Sequence, residues 1–192
     1  MRKVCYAVAM SLDGYIAGPN GEADWIIMDP DIDFDALFEQ FDTFLLGRRT
    51  FEAMGKAGQV GSPGVKTLVF SRTLRQQDYP KVTIVAERAE ETIAALRAEP
   101  GKDIWLFGGG LLFRSLLEAR QVDKVGVAIM PVLLGGGIPL LPPQSRETKL
   151  KLTSHKVYEK TGTVALEYEV QYTQPKKRIK RTRDKRGSKS RG

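Results

Sequence analysis

What most constrains the fold of this chain is an alternation of short apolar runs with stretches of helical spacing. The runs Val4–Met10, Thr43–Leu46, Lys66–Phe70, Val82–Val85 and Ile104–Phe107 are rich in branched and aromatic residues and read as strands. Between them, Phe34, Leu37, Phe38 and Phe41 fall three and four apart, which predicts a helix over 33–41. Further helices are predicted from near Phe51, over 89–98 where Pro100-Gly101 ends the pattern, and over 111–119. Strand–helix repeats of this kind argue for a largely parallel sheet covered on both faces. The pattern then changes. Lys124–Met130 is a strand, 131–143 a Gly- and Pro-rich connection, and Leu150–Tyr158 and Val164–Tyr172 form a hairpin around Lys160-Thr161-Gly162. The expected fold class is therefore α/β, in three layers: a mixed, mostly parallel sheet, helices on both faces and a C-terminal antiparallel hairpin.

Charge separates the chain into a body and a tail. The net charge is +7, but residues 175–192 hold ten Lys or Arg and one acid, Asp184. That leaves 20 basic and 22 acidic residues for the rest, so the basic character belongs to the tail. The tail is nearly devoid of apolar side chains and is expected to be disordered. Two domain assignments follow, 1–174 as one domain and 175–192 as a basic tail. The tail would offer weak, non-specific contact to nucleic acid or another polyanion through residues 176–191. No aromatic residue interleaves its charges to stack on bases.

Several classes are excluded by counts. A single cysteine, Cys5, allows no intramolecular disulfide, and a single histidine, His155, allows no two-histidine metal site, so no metal is expected. No run of about 18 apolar residues occurs, and no membrane span is expected. The N-terminal apolar run lacks a small-residue cleavage site and reads as the first strand of a cytoplasmic protein. His155 lies in the hairpin without a nucleophile-elbow motif, which speaks against a serine hydrolase.

Three predicted strands end in turns suited to anions. Gly108-Gly109-Gly110 follows a strand and opens a helix, where glycines admit a close ligand and free amides attract phosphate. It is not the G-x-G-x-x-G fingerprint, and no acid about 20 residues further on awaits a ribose hydroxyl. The other two turns carry arginines, Arg48-Arg49 and Arg72, which suits the phosphorylated ribose of NADPH.

These segments resemble the dihydrofolate reductase superfamily and, within it, the reductase domain of riboflavin biosynthesis. The resemblance covers roughly residues 2–172. It rests on Ser11-Leu12-Asp13-Gly14-Tyr15-Ile16-Ala17, Gly47-Arg48-Arg49-Thr50-Phe51-Glu52, Ser71-Arg72, Gly108-Gly109-Gly110 and the run 131–140 from Pro131 to Leu140. It implies that Gly47, Arg48, Arg49, Thr50, Ser71 and Arg72 hold the phosphates of NADPH. Gly108, Gly109 and Gly110, with Leu111 and Leu112, would then sit at the pyrophosphate, the Gly108–Gly109 bond would be cis, and Ala9 and Ile16 would line the nicotinamide pocket. The implied reaction is hydride transfer to a C=N bond of a pterin, pyrimidine or ribosylamino-pyrimidine. A small-molecule substrate and a homodimer are implied with it.

Such a reaction also needs a proton. The acid-rich stretch 29–35 matches the place of a substrate-binding carboxylate, with Asp31 first by its distance to Gly47 and Asp33 next. Acids at a helix start also serve as caps. Met10, Trp25 and Asp31 are the candidate substrate contacts. The zinc deaminase motifs H-x-E and P-C-x-x-C are absent from the sequence. A rival reading is a non-catalytic member of the same fold that uses its tail on polyanions.

Overall fold

The computed structural model describes residues 1–56, 64–143 and 146–172. The expected basic tail lies outside the described residues. Ten strands occur among the described residues, eight of them in one sheet. In chain order the elements are β1 (Val4–Ser11), β2 (Tyr15–Ala17), α1 (Phe34–Phe38), β3 (Phe41–Gly47), α2 (Arg48–Lys56), β4 (Lys66–Phe70), β5 (Thr83–Val85), α3 (Ala89–Ala98), β6 (Asp103–Gly108), α4 (Gly110–Glu118), β7 (Lys124–Met130), β8 (Ile138–Pro139), β9 (Lys149–Tyr158) and β10 (Thr163–Gln171). The large sheet runs β5-β4-β3-β6-β1-β7-β10-β9. All pairs from β5 to β7 are parallel, and β10 pairs antiparallel with both β7 and β9. The α/β architecture read from the alternation is the one observed.

The central strands are apolar throughout because both of their faces are buried. Along β1, Val4 and Tyr6 enter one core with Ile93 and Leu96 of α3 and Phe113, Leu116 and Leu117 of α4. Cys5 alternates with them and enters a second core with Phe44, Phe51, Val69 and Trp105, against which Leu37 of α1 and Met54 of α2 pack. Strand period two thus sends successive side chains to opposite layers. Helices α3 and α4 cover one face, and α1 and α2 the other. Tyr6 stacks on Phe113 at 3.9 Å between ring centroids, tying β1 to α4. Trp105 is ringed by Phe38, Phe41, Phe44 and Phe107, and its indole N–H donates to the Ala7 carbonyl at 3.0 Å.

Three local expectations are corrected. The helix expected over 33–41 spans only Phe34–Phe38, because Phe41 opens β3 opposite Asp103 of β6. Helix α2 starts at Arg48, directly from β3, rather than near Phe51. Strand β8 of the short pair β2–β8 falls in the stretch 131–143 read as a connection, and no strand was expected at β2.

Candidate active site

In a parallel sheet the carboxyl ends share one rim, and the turns that leave them lie side by side. Here their order across the rim is β4, β3, β6, β1, β7. Phe70 lies beside Gly47, Leu46 beside Gly108, and Ser11 beside Met130. The turns after β3 and β6 touch. A Cβ placed on Gly47 would sit 3.5 Å from the Gly109 nitrogen, and one on Gly109 would sit 3.3 Å from the Thr50 hydroxyl oxygen. Gly108 has φ +143°, and the Gly108–Gly109 peptide is cis, as the resemblance implied. Gly110 is pressed from behind, since a Cβ there would come within 2.9 Å of the Pro139 carbonyl oxygen. Helix α4 opens on Gly109 with no side-chain cap, so its first amides are left for another acceptor. Leu112 packs inward against the first core, while Leu111 is 59% exposed.

Positive charge gathers on the β3–β4 flank of the glycines. Arg48 lies 3.5 Å from Glu52 on the exposed side of α2. Arg49 and Arg72 are exposed and pair with no acid among the described residues. Ser71 is buried, and its hydroxyl accepts the amides of Thr73 and Leu74 at 3.2 and 3.1 Å. It shapes the turn that presents Arg72.

The β1–β7 flank is built differently. Ala9 follows Cys5 and Ala7 on the second-core face, whereas Met10 packs against the first core, so these two candidates project to opposite sides of the sheet. Ile16 lies on β2. At the end of β1 the buried Ser11 hydroxyl donates to Asp13 at 2.6 Å and accepts the Tyr15 amide at 3.0 Å. The Asp13 carboxylate also receives the amides of Leu134 and Gly135, at 3.1 and 2.7 Å. The Ser11 hydroxyl and then those two amides hold its carboxyl below the ordinary carboxylate range.

Further along this flank, the β9–β10 turn meets the acid-rich loop. Asp31 is exposed and pairs with Lys160 at 2.7 Å. Asp33 caps α1, accepting the Ala36 amide at 2.9 Å. Asp29 is buried and accepts the Asp31 amide at 2.9 Å and the Thr161 hydroxyl at 2.8 Å. Burial works against its ionisation, yet those two donors and the Lys160 charge prevail and keep it below the usual range. Trp25 is half-buried, and its indole N–H donates to the Glu22 carbonyl. The structure therefore brings Gly47–Thr50 and Gly108–Gly110 into direct contact, places Ser71-Arg72 in the turn after the adjoining strand β4, and sets Asp31 beyond β7. Sequence reasoning missed Asp13 and Asp29. Asp13 sat inside a quoted segment, but its acceptor role depends on amides 121 and 122 residues away, and that of Asp29 on a hydroxyl 132 residues away.

Fold and rim together define an α/β domain with a glycine turn and an arginine flank at the carboxyl ends of its parallel strands. The chain belongs to the RibD C-terminal domain family, whose model matches residues 2–164. It is 35% identical over 179 residues to the uncharacterized protein YyaP of Bacillus subtilis (strain 168), covering 87% of this chain and 94% of YyaP. Among solved structures, a Shewanella sp. PV-4 protein provisionally assigned to riboflavin biosynthesis superposes with a TM-score of 0.76 at 26% identity, covering 88% of this chain and 99% of that one. Dihydrofolate reductase from Enterococcus faecalis, complexed with NADP(H), shares the fold at a TM-score of 0.62 and 23% identity, over 88% and 94% of the two chains.

Proposed function

We propose that this protein is an NADPH-dependent reductase that delivers hydride to a C=N bond of a pyrimidine, pterin or ribosylamino-pyrimidine. The observation that carries this reading is the apposition of the Gly108–Gly110 turn and the Gly47–Thr50 turn, with the unpaired cations Arg49 and Arg72 beside them. The cradle fits a dinucleotide: side chains there would fill the space next to Thr50, and the uncapped start of α4 supplies amides for a pyrophosphate. Arg72, with Arg48 and Arg49, faces the ribose phosphate that distinguishes NADPH from NADH. The coenzyme supplies the hydride, and the chain supplies orientation and a binding surface. Ala9 and Ile16 wall the nicotinamide end, and Trp25 with Asp31 meets the substrate.

Of the two candidate carboxylates, Asp31 is assigned to the substrate and its proton, because Asp33 is engaged as a helix cap. Lys160 holds one Asp31 oxygen in place and leaves the other available to a ring N–H. A homodimer belongs to the same reading. Leu150, Leu152 and Val157 of β9 are 44, 48 and 57% exposed, an apolar stripe that a second copy would cover. Sedimentation equilibrium showing only monomer would remove it.

The test is to titrate the full chain with NADPH and follow thermal stability. Saturation at about 100 times Kd stabilises a folded protein by about 2.7 kcal/mol through mass action. Absorbance loss in the nicotinamide band should then appear with one of the three substrate classes. No stabilisation by NADPH at millimolar concentration overturns the reading.

A further inference from the structure

We propose that Asp13 is a positioning residue that sets the nicotinamide end of the coenzyme cleft, an inference that rests on the reductase reading. Its carboxylate stands where two distant segments meet. From its own turn it takes the Ser11 hydroxyl, and from the connection after β7 it takes the Leu134 and Gly135 amides. Around it the same two segments are fastened twice more by backbone. The Leu12 amide donates to Val132 at 2.9 Å, and the Leu140 amide donates to Gly14 at 2.9 Å. Beyond these bonds the segments pair as β2 and β8, with Tyr15 opposite Pro139 and Ala17 opposite Ile138. Ile16 therefore hangs from this corner.

The connection does not stop there. Its Pro139 and Leu140 carbonyls and its Pro142 ring lie 2.9–3.2 Å from where a Gly110 side chain would be, against the first residue of α4. The Asp13 carboxylate thus adds side-chain bonds to the backbone ones that set the distance between the wall carrying Ile16 and the glycine turn. It is set apart from the arginine flank, since β3 and β4 lie two and three strand steps from β1, about 10 and 14 Å at ordinary strand spacing. A side chain at 13 with no acceptor oxygen frees two amides and a buried hydroxyl, and the corner loosens while the sheet and the arginine turns keep their own contacts.

The geometry makes a prediction that separates the two ends of the coenzyme. Dissociation constants are measured by calorimetry for NADPH and for its adenosine bisphosphate half, which carries the extra phosphate and lacks the nicotinamide. Wild type binds NADPH more tightly than the fragment. Asp13→Ala loses about tenfold or more in NADPH affinity, the scale set by lost charge-assisted hydrogen bonds, and keeps fragment affinity within about twofold. Asp13→Asn retains one acceptor oxygen and falls between. Retained fragment binding also reports that the variants are folded. Equal loss of both ligands, or loss of neither, overturns the positioning role. Wild type that binds neither ligand overturns the reductase reading instead.

Discussion

Arg72 leaves the turn after β4 exposed and unpaired among the described residues, one strand away from the contact of Gly47 and Thr50 with Gly109. If it reads the extra ribose phosphate, Arg72→Ala costs a charge-assisted bond of about 1.5–3 kcal/mol, roughly 10- to 150-fold in NADPH affinity. NADH binding should change little. Comparative titration of both coenzymes checks this, and equal loss for the two rejects the role. At this scale the sequence showed which residues carry charge or lack a side chain. It did not show their partners. Asp33 could be read as acid or as cap, and only the Ala36 amide at 2.9 Å decides for the cap.

At the scale of elements, the small pair β2–β8 closes the β1 side of the rim. Gly137 precedes β8 at φ +149°, and a Cβ there would run into the Ala17 carbonyl oxygen. Gly137→Ala should therefore destabilise the fold by about 1–3 kcal/mol, since backbone rather than a flexible side chain must give way. Denaturant unfolding measures it, and a variant as stable as wild type contradicts the packing. Element type was legible where period was long. The central strands carried unbroken apolar runs, and α3 its helical spacing. Boundaries were not, because competition decides them. Phe41 continues the apolar spacing of α1, but it gains a strand partner in β6 and a place beside Trp105. Strands as short as β2 and β8, of three and two residues, carry no period of their own and exist only because they meet.

For the whole molecule, carboxylates tie distant parts of the chain together, and this fixes its response to acid. Asp42 is an example at the opposite rim. Burial disfavours its charge, but the Lys102 amide, the Thr43 hydroxyl and the buried Arg2 outweigh that and keep it below the usual range. Asp13 and Asp29 are lowered likewise. Groups depressed in the folded state stabilise it fully above their ordinary value of 3.8 and lose that contribution as pH falls through the lower folded values. Melting temperature should be flat across neutral pH with respect to these groups and fall steeply below about pH 4. Thermal scans against pH check this, and unchanged stability down to about pH 2 refutes it. Deleting residues 175–192 should abolish any salt-dependent shift of RNA and leave NADPH stabilisation intact, read by gel shift and thermal scan.

Local chemistry, which a linear string carries in full, already specified the alternation of layers, the charge of the tail and the glycine and arginine character of the rim turns. Apolar period and side-chain volume act over a few residues, so they survive without knowledge of neighbours in space. Three features came only with the folded chain: the contact of Gly47 and Thr50 with Gly109, the clamp of Asp13 on the Leu134 and Gly135 amides, and the burial of Asp29 against Thr161. Each joins groups far apart in sequence, and hydrogen bonds and close contacts depend on distances of a few ångströms that strand order alone sets.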